Sequence, residues 1–351
     1  MRRAAAVLLF LMLAGDSAAL YAQEIWSPLR WLSSVLFAPL PIKIRIIDLL
    51  VVALLVASMS RKDAKGPRVR PMRGAMFLAA GAVTLMFVYG LARGGDVRAA
   101  SWQVYLLLSS ILAAFAFASV CKTSQHYLVL GKALVAAGIY RATMELVFYI
   151  GWVRNSGKET PAHLTTHDDT VLWIVCITYL LINLVESRTR KAKLWAMGLI
   201  PFFLVAVQLN NRRLAWVSLV FSLIVFYFAQ RPSKAKRRIF QGALAMVPVI
   251  GLYVIVGWGR PERIFKPLKS LETIATKEDD STKARNVENL GLIATSNAYG
   301  LLTGPGWGHR YIEVSSKYSI AEYFELWPFI PHNSILGIFA FTGDIGFIGF
   351  W

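Results

Sequence analysis

Cysteine is nearly absent: the 351 residues hold two, Cys121 and Cys176. Cys121 falls at the inner end of one apolar run and Cys176 within another. A disulfide between such depths is not expected, and both read as packing residues. Acidic residues are also scarce, 20 against 38 Lys and Arg, which leaves a formal net charge of +18. In a soluble chain that excess would suggest nucleic acid. No recognition helix, zinc finger or RNA-binding signature accompanies it, so nucleic acid is not an expected partner. Internal repeats, low-complexity tracts and coiled-coil heptads are missing too. So are the paired broken helices of many secondary transporters.

What the chain has is long apolar runs. Apolar residues make up 56% of it, and the mean hydropathy is +0.51. The runs are roughly 17–25 residues long, the length that crosses a ~30 Å hydrocarbon core. Their positions predict spans at about 4–22, 46–60, 74–92, 101–120, 127–150, 170–186, 194–210, 214–229, 239–257 and 333–351. Segment 26–41 is apolar but short and Pro-rich, and reads as re-entrant or interfacial. The fold class is therefore all-α, a polytopic transmembrane bundle of about ten spans with one large extracytoplasmic loop. The N-terminus (Met1-Arg2-Arg3, then an apolar run) resembles a signal peptide, with weak cleavage sites near Ala19 and Ala22. An uncleaved first helix is the preferred reading, and either choice exports the segment that follows.

Orientation comes from the loops. Arg61, Lys62, Lys65, Arg68, Arg70 and Arg73 crowd one loop. Arg188, Arg190, Lys191 and Lys193 crowd a second, and Arg231, Lys234, Lys236, Arg237 and Arg238 a third. Alternating the spans puts all three on one side, which the positive-inside bias makes cytoplasmic. Much of the basic excess is thereby assigned to this bias and to anionic lipid headgroups. Loop 258–331 falls outside with nine basic and nine acidic residues, and is neutral. The expected division is an N-terminal bundle over 1–257, a loop domain over 258–331 and the start of a C-terminal membrane segment over 332–351.

The topology leaves one anomaly. Asn210-Asn211-Arg212-Arg213 sits in an outward turn, where cations are normally scarce. Snorkelling interfacial cations are the plain reading. The functional reading is a phosphate site: the guanidinium fork matches phosphate oxygens, the Asn pair adds neutral donors and Trp216 adds an aromatic surface. Within the outer loop, Asp280 to Asn289 carries helix-start chemistry at Ser281 or Thr282. Once helical, it puts Arg285 and Asn289 on one face. Gly300 to His309 is a Gly/Pro-dense turn that permits close backbone approach to a ligand, without P-loop or dinucleotide spacing. His332-Asn333-Ser334 follows Pro331 at the expected outer surface, and its imidazole can bind or deprotonate a hydroxyl. Arg141 and Glu145 lie four apart inside an apolar run, either an ion pair or a pocket wall. His163 and His167 have helical metal spacing, but they lack the Glu of H-E-x-x-H and stand in a polar loop, so no metal is expected.

In this order, the motifs resemble the O-antigen ligase and polysaccharide polymerase superfamily of bacterial inner-membrane glycosyltransferases. The resemblance rests on the Arg-bearing turn at Asn211 to Trp216 and the Arg-bearing loop helix at Ser281 to Asn289. The Gly-rich piece at Leu302 to Gly308 and the His-Asn-Ser start of a Gly-x-x-Gly span at His332 to Gly346 complete it. It covers about 205–351 by motif and the remainder by topology alone. Two departures stand out. The turn reads Asn-Arg-Arg where the family more often has Ser-Arg-Gly/Ala. The chain also stops at Trp351, where members continue, so a fragment or a product lacking a closing segment is expected.

The resemblance implies a membrane glycosyltransferase fold. It implies transfer of a glycan from undecaprenyl diphosphate to a hydroxyl of a second glycan or a lipid A core, on the periplasmic face. No metal or nucleotide is implied. On this reading Arg213, Arg285 and His332 carry the reaction, while Arg212, Asn211, Trp216, Asn289, Asn333, Arg141 and Glu145 bind substrate. A flippase of lipid-linked oligosaccharide, binding the same diphosphate without making a bond, is the rival of different class.

Overall fold

The computed structural model spans the whole chain. It describes residues 1–15, 27–38, 44–60, 70–121, 123–155, 161, 163–187, 189–260, 265, 268, 280–319, 321 and 324–351, the side chains of 70–73, 152, 213, 280 and 281 excepted. The regular elements among the described residues are helices, and no strand occurs among them. In chain order the helices are α1 (Arg2–Ala14), α2 (Arg30–Leu36), α3 (Ile46–Met59), α4 (Arg70–Ala92), α5 (Val97–Val120) and α6 (Ser124–Phe148). They continue as α7 (His167–Glu186), α8 (Arg190–Asn210), α9 (Arg213–Ala229), α10 (Lys234–Gly257), α11 (Asp280–Tyr299) and α12 (Ser334–Phe350).

Among the described residues, six stretches are long and apolar enough to cross a membrane: Gly74–Ala92, Val97–Val120, Ser124–Gly151, His167–Glu186, Arg190–Asn210 and Lys234–Gly257. Three further apolar helices are shorter, Ile46–Met59, Leu214–Ala229 and Ser334–Phe350. The expected first span differs: α1 ends at Ala14, and residues 16–22 lie outside the described residues. Segment 26–41 contributes the seven-residue α2. Local chemistry sets several starts. Asp96, Thr166, Ser233 and Asn333 each cap a helix by accepting from a backbone N–H of its first turn.

The chain packs as two compact units, and neither follows the serial division expected from the sequence. The first comprises Met1–Leu50 and Ser124–Thr276. Its core is α6, α7 and α8, centred on fully buried Trp173, Phe203, Ala206 and Val207. The second comprises Val51–Thr123 and Lys277–Trp351. Here α4, α5, α11 and α12 share a core that includes Met86, Leu292, Trp307 and Phe341. Helix α11, from the loop expected over 258–331, is thus a packed part of this unit.

Close backbone packing organises this second unit. The Gly-dense turn was expected to approach a ligand; instead it is wedged between helices. Gly306 N donates to Phe341 O at 2.7 Å and Trp307 N to Met86 O at 3.3 Å. A Cβ at Gly306 would lie 2.4 Å from Gly90 Cα, and one at Gly304 would lie 2.6 Å from Phe341 O. The glycines admit neighbouring main chain, which leaves no room for a ligand there. Helix α12 answers the wedge with a break: Gly343 has φ 58° and ψ −165° inside it. The N–H groups of Asp344 and Ile345 then donate to Leu301 O and Leu302 O at 2.8 and 3.1 Å. The expected last span is therefore two half-helices joined through the loop. Gly343→Val is expected to destabilise the protein by about 1–3 kcal/mol, through positive-φ strain and the clash with Leu302 and Thr303. Gly81→Ala, with nothing within 4 Å of its Cβ position, is the matched control. Thermal unfolding of the detergent-solubilised chain followed by tryptophan fluorescence checks both.

Candidate functional site

In the first unit, the turn 210–212 meets the segment 163–170. The meeting point is Asn210, which is fully buried. Its Oδ1 accepts from Leu164 N (3.1 Å) and Thr165 N (2.9 Å), while its Nδ2 donates to Thr166 O (3.2 Å) and Thr170 Oγ1 (2.9 Å). The amide is thus spent inside the protein, and Asn210 has no proton left for a ligand, contrary to the expectation for the Asn pair. Asn211 terminates α8 in the left-handed conformation, φ 51° and ψ 43°. Asn tolerates that region better than other residues with a side chain, and so permits the sharp reversal into α9.

Arg212 is half-buried and held. Its Nη2 and Nε face Thr165 O at 2.6 and 3.3 Å, and its Nη1 lies against the His167 ring, 2.9 Å from Nε2. Burial pulls its pKa down while Asp169 and Asp168 push it up. An arginine stays protonated under such opposing effects. Arg213 is the first residue of α9, and its side chain lies outside the described atoms. Trp216 packs on the core of this unit, its indole N–H buried and without a hydrogen-bond partner among the described residues.

Arg141 and Glu145 are both buried on α6. Arg141 Nε donates to Asp169 Oδ1, from the first turn of α7, with both side chains 2% exposed. This pair ties α6 to α7 at the same end as Asn210. Breaking such a buried pair from one side costs about 3–5 kcal/mol. Of the two His at metal spacing, His163 offers Nδ1 toward Asn210 O, and His167 is the first residue of α7.

The second unit brings His332, Asn333 and α11 together. Helix α11 starts at Asp280, so Ser281 and Thr282 lie in its first turn and do not cap it. Arg285 is exposed on this helix. One turn on, Glu288 is 5% exposed and faces inward. Its Oε1 accepts from the backbone N–H of His332 at 2.7 Å and of Asn333 at 3.4 Å, and its Oε2 accepts from His332 Nδ1 at 2.9 Å. Asn333 Nδ2 donates to Asn289 Oδ1 at 3.1 Å, and Asn333 Oδ1 caps α12 at Leu336 N. Trp327 meets the His332 ring edge-on, with centroids 5.0 Å apart.

The carboxylate can only accept, so it fixes the proton on Nδ1 and leaves Nε2 as the acceptor. The His332 side chain is 54% exposed. A buried acid that orients a half-exposed imidazole is an arrangement that can serve as a general base with its orienting group. Glu288 escaped sequence reading, although the stretch containing it was singled out. Its one signal was position: it falls three residues after Arg285, among residues that looked like an ordinary surface helix.

The comparisons with known proteins bear on this geometry. Residues 198–351 match the family model described as O-antigen ligase, a segment holding α9, α11, the wedged turn and the His332 centre. That family performs glycan transfer in polysaccharide assembly, as ligases or polymerases. No curated protein and no solved structure matches the chain.

The first-unit geometry separates two roles at the turn. Asn210→Ala would leave the buried N–H groups of Leu164 and Thr165 unpaired, a loss of about 1–3 kcal/mol for each. Asn211→Gly keeps the left-handed turn and is expected to unfold at the wild-type temperature. Thermal unfolding scans of both variants test this, and an Asn210→Ala chain as stable as wild type would contradict the clamp.

Proposed function

We propose, from the match of residues 198–351 to the O-antigen ligase family model, that the chain transfers a glycan from undecaprenyl diphosphate to an acceptor sugar hydroxyl. The reaction takes place at the periplasmic face of the bacterial inner membrane, with the N-terminus in the cytoplasm. The acceptor is a second lipid-linked glycan in a polymerase, or a lipid A core in a ligase. The observation that carries the chemistry is the Glu288–His332 pair.

His332 Nε2 takes the proton of the acceptor hydroxyl as its oxygen bonds to the anomeric carbon of the donor. The bond from that carbon to the diphosphate oxygen breaks, and undecaprenyl diphosphate leaves with the electron pair. Glu288 holds the imidazole in the reactive tautomer and stabilises the imidazolium that forms. Positive charge at Arg285, and separately at Arg213 in the first unit, is assigned to the diphosphate, an effect for which removing one donor typically costs about 10²–10³ in rate. Arg212, Asn211 and Trp216 remain assigned to donor binding, and Asn289 and Asn333 to the shape of the His332 centre. Arg141 and Glu145 support the first unit from inside.

The test is glycan transfer in a strain lacking its own enzyme, at matched membrane levels, reading surface polysaccharide and accumulated lipid-linked donor. His332→Ala is expected to lower product about 10²–10⁴-fold. Glu288→Ala should fall steeply as well, with Glu288→Gln between it and wild type. The double variant Glu288→Ala/His332→Ala should be no worse than His332→Ala alone, because the two act as one group. Donor should build up on the periplasmic side. Full activity in His332→Ala, or donor trapped on the cytoplasmic side, would instead favour transport and sink the catalytic reading.

A further inference from the structure

A second cationic centre, absent from the sequence reading, lies at the end of α4 in the second unit. Arg93 directly follows the apolar stretch Gly74–Ala92. Its Nη1 donates to Tyr89 Oη at 2.9 Å and to Gly304 O at 3.3 Å. The guanidinium carbon stands 5.6 Å from the centre of the Tyr89 ring and 5.9 Å from that of Tyr299. Tyr89 Oη is in turn 3.1 Å from Thr303 Oγ1. The residue is exposed, yet two rings and a carbonyl fix its orientation.

A contact that only secured the wedged loop would need one nitrogen, and Nη1 already makes both bonds. Nε and Nη2 make no hydrogen bond among the described residues, and no carboxylate there pairs with the group. What remains is a fixed, uncompensated fork of N–H donors, held by the Tyr89 hydroxyl, which bonds Thr303 Oγ1, while Thr303 Oγ1 donates to Gly304 O at 3.4 Å. His309, whose ring lies edge-on to Tyr299 at 6.2 Å, has a buried Nδ1 without a hydrogen-bond partner. Burial and the Arg93 charge hold its pKa below the usual value, so it stays neutral at pH 7 and adds polarity without charge.

We propose that Arg93, oriented by Tyr89, Thr303 and Tyr299, binds a lipid-borne phosphate group. The centre sits where an apolar helix ends, the level of phosphates at a membrane surface, and the guanidinium fork matches a tetrahedral oxyanion. The phosphate can belong to a bulk phospholipid headgroup or to a polyprenyl diphosphate. The proposal does not depend on the transferase reading, because it concerns binding alone.

Native mass spectrometry of the full chain released from mild detergent tests it, with dioleoyl phosphatidylglycerol, farnesyl diphosphate and phosphate-free dioleoylglycerol as probes. Wild type should retain the two phosphate-bearing lipids, and Arg93→Ala should weaken retention of the first bound lipid about tenfold, with dioleoylglycerol unaffected. Arg93→Lys, which keeps the charge and loses the fork, should fall between them. Tyr299→Leu should weaken retention too, and serves with Arg93→Lys if Arg93→Ala does not fold. Preference for farnesyl diphosphate would identify a diphosphate lipid as the ligand, and parity would identify the bulk headgroup. Wild-type retention of both phosphate lipids in the Arg93 and Tyr299 variants would overturn the proposal.

Discussion

The buried carboxylate of Glu288 is the interaction on which the second unit's chemistry depends. It accepts two backbone N–H groups and one imidazole N–H, all from the segment that leads into α12. A carboxylate removed from water needs such partners, and these three replace lost hydration with fixed donors. The arrangement serves structure and reactivity together. The same oxygens that hold the 332–333 backbone against α11 also fix which imidazole nitrogen carries the proton. Orientation of the base is therefore set by the packing of α11 and needs no loop closure.

The first unit solves a related problem with a neutral group. Asn210 joins a turn between two helices to a loop between two others by filling all of its amide positions. Around it, the Arg141–Asp169 pair and the Arg212 contacts to Thr165 and His167 put charge at the same end of the unit. Buried polar networks of this kind are costly when partly satisfied and rigid when complete. Rigidity here fixes the base of the Arg212–Arg213 turn.

Sequence pattern carried the helical architecture because apolar runs of spanning length have few alternatives in a membrane. It also located His332 and Asn333, whose Pro and Ser neighbours mark a helix start, and the resemblance it supported agrees with the family match over 198–351. It could not show that the glycines of 304–308 face protein main chain, since free φ is demanded equally by a ligand and by a crossing helix. Glu288 was hidden for a related reason: on a helix with charge on several faces, nothing in the spacing distinguishes the acid that points inward. Arg93 looked like an ordinary flanking cation, because only the Tyr89 ring lies one turn away on its own helix, while Tyr299 and Gly304 come from a segment more than 200 residues later. The break at Gly343 was unreadable too, being imposed by a loop some forty residues earlier.

That break has a dynamic consequence. Because the N–H groups of Asp344 and Ile345 are bonded to Leu301 and Leu302, their exchange with solvent is governed by departure of the loop and not by fraying of their own helix. The loop and the part of α12 beyond Gly343 therefore open and close as one cooperative element, and the segment bearing Thr303 and Gly304 cannot be withdrawn without leaving main-chain N–H groups of α12 unpaired.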